Sequence, residues 1–378
     1  MYEAQLNERK RDFDWPLLLG TGALATTGVF FIYSATGEAS QAQPLYRQMF
    51  FLQIIWFALG VGAAAAACLV DYAKLARWSR VVYWGAMASL GAVLAFGKVV
   101  QGGRRWISLG IFRIQPAEFA KIAFIFLLAD FLSRPVEELR RPRVFFAALG
   151  YTALPFALIL MEPDLGSALV FLTVCLAMMF VAGVPNRYLR RLAGWVCPVV
   201  ALLVAVVLFE PSKATFLKSY QRERLLPYFG MGEESYNVKQ ALISVGSGGW
   251  FGKGWRQGTQ HELGFLPKKG AHNDFIFSVI AEEEGFVGSV VILALYSVLL
   301  LSGIKVATLA RDRLGQLLAV GVATLLFSHV FINIGMNIRL MPVTGIPLPL
   351  LSYGGSSVVC SLIAIGVLHN VHIYRKSY

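Results

Sequence analysis

Ten long blocks of apolar, nearly uncharged residues constrain this chain more than anything else in it. Each runs for about 18 residues or more, enough for an α-helix to cross a hydrocarbon layer roughly 30 Å thick. Within that layer no water satisfies the backbone, so the segment has to bond internally, as a helix does. The blocks lie at about 16–34, 49–70, 80–100, 116–133, 144–161, 166–184, 190–209, 275–304, 314–336 and 353–373. Between the fifth and sixth, Met161 to Gly166 leaves space only for a very tight turn. Composition agrees: 57% of the residues are hydrophobic and 15% charged, against roughly 25% charged in soluble domains. The expected fold class is an all-α integral membrane protein of about ten transmembrane helices. Residues 1–378 form a single polytopic domain, with one large extracytoplasmic loop between helices 7 and 8, at about 210–273.

Lys and Arg in the short connections set the orientation. With the N-terminus in the cytoplasm, the inside segments carry Arg9, Lys10 and Arg11, then Lys74, Arg77 and Arg80, then Arg134, Arg140, Arg141 and Arg143. Arg187, Arg190 and Arg191 follow, and Lys305, Arg311, Arg313, Arg375 and Lys376 complete the set. Every inside connection is basic, and an even number of spans returns the C-terminus to the cytoplasm. The net charge of +12 then reflects topology and attraction to anionic lipid. Basic residues scattered between spans do not make a nucleic-acid surface. Residues 1–14 are polar and the first apolar block is long enough to span, so no cleavable signal peptide is expected. Cys68, Cys175, Cys197 and Cys360 all lie inside apolar blocks without ligand-like spacing, as small packing residues do.

Two outside connections carry the unusual chemistry. Residues 101–115 hold Arg104, Arg105 and Arg113. The long loop contains Trp250, Phe251, Trp255 and Phe265, which point to an ordered region lying against the membrane rather than a floppy insert. Ionisable residues at span edges are costly and therefore functional candidates. Glu118 and Lys121 stand three apart on one helix face, where they pair either structurally or at a site. Asp164, in the turn with Glu162, either caps the next helix or serves the chemistry. Glu282, Glu283 and Glu284 interrupt the eighth span, and at about 100° per residue they cannot share one face. Asp274 follows His272 and Asn273 at the start of an apolar helix; it is either an N-cap or a carboxylate suited to taking a proton from a hydroxyl.

In order along the chain stand GRRWI (103–107), QPAEFAK (115–121), EPDLGSA (162–168), GSGG with GKG (246–254), HNDFIF (272–277), EE-x-GF-x-G (282–288) and SYGGSS (352–357). This series resembles the SEDS family, the shape, elongation, division and sporulation proteins, over roughly residues 15–375. GTQ (258–260) with FLP (265–267), and MPVTGIPLPLLSYGGSS (341–357), are more similar to its RodA-like branch than to its FtsW-like one. The resemblance implies a peptidoglycan glycosyltransferase that polymerises lipid II, the undecaprenyl-pyrophosphate-linked disaccharide-peptide, into β-1,4 glycan strands. It places that work at the outer face of the bacterial cytoplasmic membrane. Asp274 matches the family's catalytic aspartate, here a general base in a reaction that inverts the anomeric carbon. Glu118 and Lys121 match its ion pair and Asp164 its PDLG aspartate. Arg104, Arg105 and Lys121 are candidate clamps for the departing pyrophosphate, although phospholipid contact also suits the two arginines. His272, Glu283 and Ser356 fall in matching motifs and join the substrate-binding set. The likeness also implies help from a divalent cation, Mg or Mn, and a class B penicillin-binding protein as the cross-linking partner.

The chain departs from the family pattern at Lys268, where an acid is usual, at Asn273 in place of threonine, at Glu284 in place of an apolar residue, and at Arg339 where a small residue is common. Two other functions fit ten spans: a lipid II flippase and a non-catalytic scaffold for a transpeptidase. Internal repeats with paired broken helices would mark a transporter, and the two halves of the chain show no such likeness. A scaffold has no need of an acid at Asp274.

Overall fold

The computed structural model describes residues 13–36, 44–100, 103–109, 112–209, 228–229, 236–266 and 270–376. Among the described residues, nine helices are long and apolar enough to cross a membrane. In chain order the long helices are α1 (Trp15–Ala35), α2 (Met49–Leu69), α3 (Ser79–Phe96), α4 (Pro116–Leu132), α5 (Pro142–Met161), α6 (Leu165–Ala182) and α7 (Asn186–Phe209). They continue with α8 (Tyr236–Ser247), α9 (Ile276–Leu309), α10 (Arg313–Asn337) and α11 (Gly355–Ile373). Helix α4 is shorter than the nine, at 17 residues, and holds the buried Glu118 and Lys121. With it, the ten expected spans are all present. Much of the expected long loop, including Lys268, lies outside the described residues.

Helices α10 and α11 are buried along most of their length, whereas α7 and most of α2 are not. The outward side chains of the peripheral helices, such as Leu59, Val81, Trp195 and Leu202, are exposed and apolar, as suits contact with lipid rather than water.

Two features depart from ten plain helices. The third block ends at Phe96, and the connection that follows is a three-stranded antiparallel sheet. Strand β2 (Gly103–Leu109) pairs with β1 (Lys98–Val100) and with β3 (Phe112–Ile114), in the register Val100 to Gly103 and Ile107 to Ile114. The run of β-branched residues in KVV and the alternation in GRRWISL favour strand, a preference outweighed in the sequence by the neighbouring apolar block.

The second is the eighth span. Its 34 residues would make a helix of about 51 Å at 1.5 Å per residue, far longer than a bilayer core of about 30 Å. It breaks at Gly285, where φ is 68° and ψ −159°, a conformation open to glycine. A break inside a helix strands carbonyls on one side and N–H groups on the other. The loop 248–254 satisfies both. Lys253 N donates to Glu282 O (3.0 Å) and Gly254 N to Glu283 O (2.9 Å), while Phe286 N and Val287 N donate to Gly249 O (2.8 Å) and Trp250 O (3.0 Å). A Cβ on Gly248 would overlap the carbonyl of Ala281, and one on Gly252 that of Glu283. The glycines of GSGGWFGKG thus let one backbone lie directly on another.

The end of α10 accounts for Arg339. Leu340 N donates to Gly335 O (2.7 Å) and Arg339 N to Met336 O (3.4 Å), the paired bonds of a Schellman cap. Arg339 occupies its left-handed position, with φ 61°, which is why a small residue such as glycine suits this place.

Candidate active site

Four interhelical connections meet at one end of the bundle, and Asp274 sits among them. Its turn is pinned through three successive carbonyls. His272 O accepts from Tyr353 N (2.8 Å), Asn273 O from Ser352 Oγ (2.6 Å), and Asp274 O from both Asn333 Nδ2 (3.1 Å) and Asn337 Nδ2 (3.0 Å). The N-cap position of α9 belongs to Phe275, and among the described residues no side chain caps that helix. The N-cap role considered for Asp274 is therefore not the one it fills. The residue is half-buried, and its carboxyl lies beside Gly345, where a Cβ would stand 3.6 Å from Oδ2. His272 is buried, with its ring edge-on to Tyr353 at 5.7 Å. Ser356 Oγ donates to Arg113 O (3.4 Å), which places exposed Arg113 near the same turn.

The α5–α6 turn is the second wall. Asp164 does cap α6, with Oδ1 accepting from Ser167 N (3.1 Å). Its Oδ2 also faces Arg105 Nη1 at 3.5 Å. Arg105 donates further to the carbonyls of Glu162 (3.0 Å) and Pro163, so it rivets β2 to this turn. The Glu162 side chain is 1% exposed, and neither of its carboxyl oxygens has a hydrogen-bond partner among the described residues. Burial first, then the Asp164 carboxylate, push it up to about 8 against the pull of Arg105, and so favour the protonated form. Gly166 packs so closely on Thr344 and Ile346 that a Cβ would stand 2.7 and 2.8 Å from them. Those residues flank Gly345, and through them the Asp164 and Asp274 turns adjoin.

Glu118 and Lys121 do pair, at 2.7 Å, with 3% and 2% of each residue exposed. Lys121 Nζ also lies 2.8 Å from His329 Nε2. Its ammonium is thus committed to two buried partners. Ser356 Oγ accepts from Gln115 N (3.1 Å) and joins the start of α11 to the start of α4. Arg104 is exposed, with a long contact of 3.4 Å from Nη1 to Leu94 O.

The three consecutive glutamates diverge, as their spacing requires. Glu282 Oε1 accepts from Lys253 Nζ (2.6 Å), Thr259 Oγ1 (3.1 Å) and Gln260 N (3.0 Å). Glu283 Oε1 accepts from Ser34 Oγ on α1. Glu284 lines a cavity of about 360 Å³ between α1 and α9, with Thr27, Phe31, Phe251 and Leu295. Glu283 stands nine residues beyond Asp274, roughly 13 Å along a helix, and anchors the broken span rather than the Asp274 turn. Among the described residues no three His, Cys, Asp or Glu side chains converge as a metal site requires. No step below is routed through the implied Mg or Mn.

Compared with known protein families, residues 16–377 match the FtsW/RodA/SpoVE family, described as cell cycle proteins. The chain belongs to this family. It is 34% identical to the peptidoglycan glycosyltransferase RodA of Treponema pallidum, over 96% of this chain and 98% of that protein. It is 38% identical to stage V sporulation protein E of Bacillus subtilis, over 98% and 100%. Among solved structures, a chain from a work on "structural coordination of polymerization and crosslinking by a peptidoglycan synthase complex" superposes with a TM-score of 0.79 at 30% identity, covering 97% of this chain and 99% of that one. The rod shape determining protein RodA of Thermus thermophilus does so with a TM-score of 0.70 at 29% identity, covering 97% and 98%.

For this FtsW/RodA/SpoVE protein, sequence reasoning passed over the residues that hold the site together. His329, Asn333 and Asn337 stand at i, i+4 and i+8 on one face of α10, all buried. A polar stripe at helical spacing in an apolar span is a readable signal. Ser278, Ser352 and Gln53, which bonds Ser352 O at 3.1 Å, carry no such signal.

Proposed function

We infer that this chain is a peptidoglycan glycosyltransferase that polymerises lipid II into β-1,4 glycan strands at the outer face of the bacterial cytoplasmic membrane, with Asp274 as the general base. The observation that carries the reading is the Asp274 turn. Its backbone is held at three carbonyls by donors from residues 352–353 and from α10, and the residue itself is only partly buried, with its carboxyl beside Gly345. A base needs that fixed placement, because proton transfer works only within hydrogen-bond reach of the hydroxyl.

The acceptor sugar's 4-hydroxyl oxygen attacks the donor's anomeric carbon as the bond from that carbon to the pyrophosphate oxygen breaks. The hydroxyl proton passes to the Asp274 carboxylate, and the lipid pyrophosphate leaves with the bonding electron pair. One displacement on an α-linked donor produces a β-linkage, so no covalent enzyme intermediate is needed. Cations near the leaving oxygens stabilise the charge they acquire. Arg104 and Arg113 are exposed and suited to this. Arg105 and Lys121 already have partners, so their charges act by holding the α5–α6 turn and α4 in place. A class B penicillin-binding protein is the partner proposed for cross-linking, in keeping with the structural neighbour from a peptidoglycan synthase complex.

Purified protein given labelled lipid II is expected to produce glycan polymer. Transport of lipid II in liposomes without any polymer would replace this reading with a flippase. The orientation proposed here puts both termini in the cytoplasm and the Asp274 end outside. Reporter fusions after Tyr188 and Tyr378 are expected to read as cytoplasmic and one after Tyr236 as external; a cytoplasmic signal at Tyr236 would put the chemistry on the wrong side.

A further inference from the structure

The Asn333 and Asn337 side chains are 0% exposed, in a helix whose other buried side chains are mostly apolar. A buried amide costs free energy unless its hydrogen bonds are made, and here they converge on one place. Asn333 Nδ2 donates to Asp274 O (3.1 Å) and to Ile346 O (2.7 Å). It therefore ties together the two segments that flank the Asp274 carboxyl, its own turn and the stretch containing Gly345. Asn337 Nδ2 donates to the same Asp274 O (3.0 Å) and to Asn333 O (2.8 Å), while its Oδ1 accepts from Ser278 Oγ (2.6 Å) one turn into α9. One carbonyl thus receives two side-chain donors from successive turns of a neighbouring span.

We propose that Asn333 and Asn337 are positioning residues for glycosyl transfer, fixing the Asp274 carboxylate against the acceptor hydroxyl by clamping its backbone carbonyl. The proposal rests on the reading of Asp274 as the base. The pair lies behind the turn, bonded to backbone and Ser278, so the effect belongs in turnover rather than in substrate affinity. A displacement of about 1 Å at a reacting group costs roughly 10²-fold in rate.

The test uses the full-length protein and labelled lipid II. Asn337→Ala is expected to lower kcat by about 10- to 100-fold while KM for lipid II stays within about twofold of the parent. Asn337→Asp keeps the shape and supplies the conservative check. Its carboxyl, when protonated, has one O–H for the Asp274 carbonyl and an acceptor for Ser278; when ionised it has no donor. Burial favours the protonated form. Activity of this variant is expected to approach the parent at the acidic side of the working range and to fall as pH rises, adding an alkaline limb absent from the parent and from Asn337→Ala. Melting temperature followed across the same pH range separates this from loss of packing, which would lower stability and activity together, whereas the positioning role lowers kcat in protein that stays folded. If the alanine variant fails to fold, the isosteric one carries the test. Parent-level kcat in folded Asn337→Ala, or a pH profile of Asn337→Asp that matches the parent, overturns the proposal. Asp274→Asn measured alongside separates the two claims: its inactivity beside unaffected Asn337 variants removes only the positioning role, and near-normal activity removes the base itself.

Discussion

Asp274→Asn is expected to reduce lipid II polymerisation by about 10²- to 10⁴-fold, the usual effect of removing a general base. The amide keeps the shape of the carboxylate but does not accept the acceptor hydroxyl's proton. Folding, membrane insertion and partner binding are expected to survive, for a reason visible only in three dimensions. The Asp274 carbonyl, not its carboxyl, takes the bonds from Asn333 and Asn337, and the helix that follows has no side-chain cap to lose. Polymerisation rate, read beside the melting temperature in detergent, checks both halves. A scaffold would lose nothing in its partner's activity or in cell shape. Near-normal polymerisation by a well-folded variant would take Asp274 out of the catalytic role.

The second large effect concerns Glu118 and Lys121. Removing either charge alone is expected to destabilise the protein by about 3–5 kcal/mol, because the partner is left uncompensated in a low-dielectric interior. Lys121→Met strips its donor from Glu118 Oε1 and from His329 Nε2 together. Glu118→Leu leaves the ammonium with His329 as its remaining partner. The double replacement removes both charges and is expected to be milder than either single one. Thermal unfolding of the three variants decides it, and equal melting temperatures would sink the buried pair. A double variant that folds well yet makes no polymer would show that the Lys121 charge serves the reaction as well as the fold.

How much was legible in the sequence varied with the range of the interaction. Glu118 and Lys121 share a helix face three residues apart, so their pairing could be read directly. His329, 208 positions from Lys121, could not. Arg105 reads as a pyrophosphate clamp when only its charge and neighbours are known. Its guanidinium is instead spent on backbone carbonyls and Asp164 of a turn more than 50 positions away. Glu283 reads as part of the site because its motif follows HNDFIF closely. The helix between them carries it away from Asp274, onto Ser34 of α1.

By itself the sequence determined that this is a ten-span membrane protein, where nearly all its spans fall, and which family motifs it carries. Those properties are local: the bilayer asks each segment separately for length and apolarity, and a motif is a short string. Only the tertiary structure decided that the eighth span breaks at Gly285, that a glycine-rich loop repairs the break, and that a strand hairpin follows α3. It alone decided that Asn333 and Asn337 hold the Asp274 turn from 59 and 63 positions away. A backbone carbonyl accepts from any donor that packing brings within about 3 Å, and nothing in its own neighbourhood along the chain names that donor.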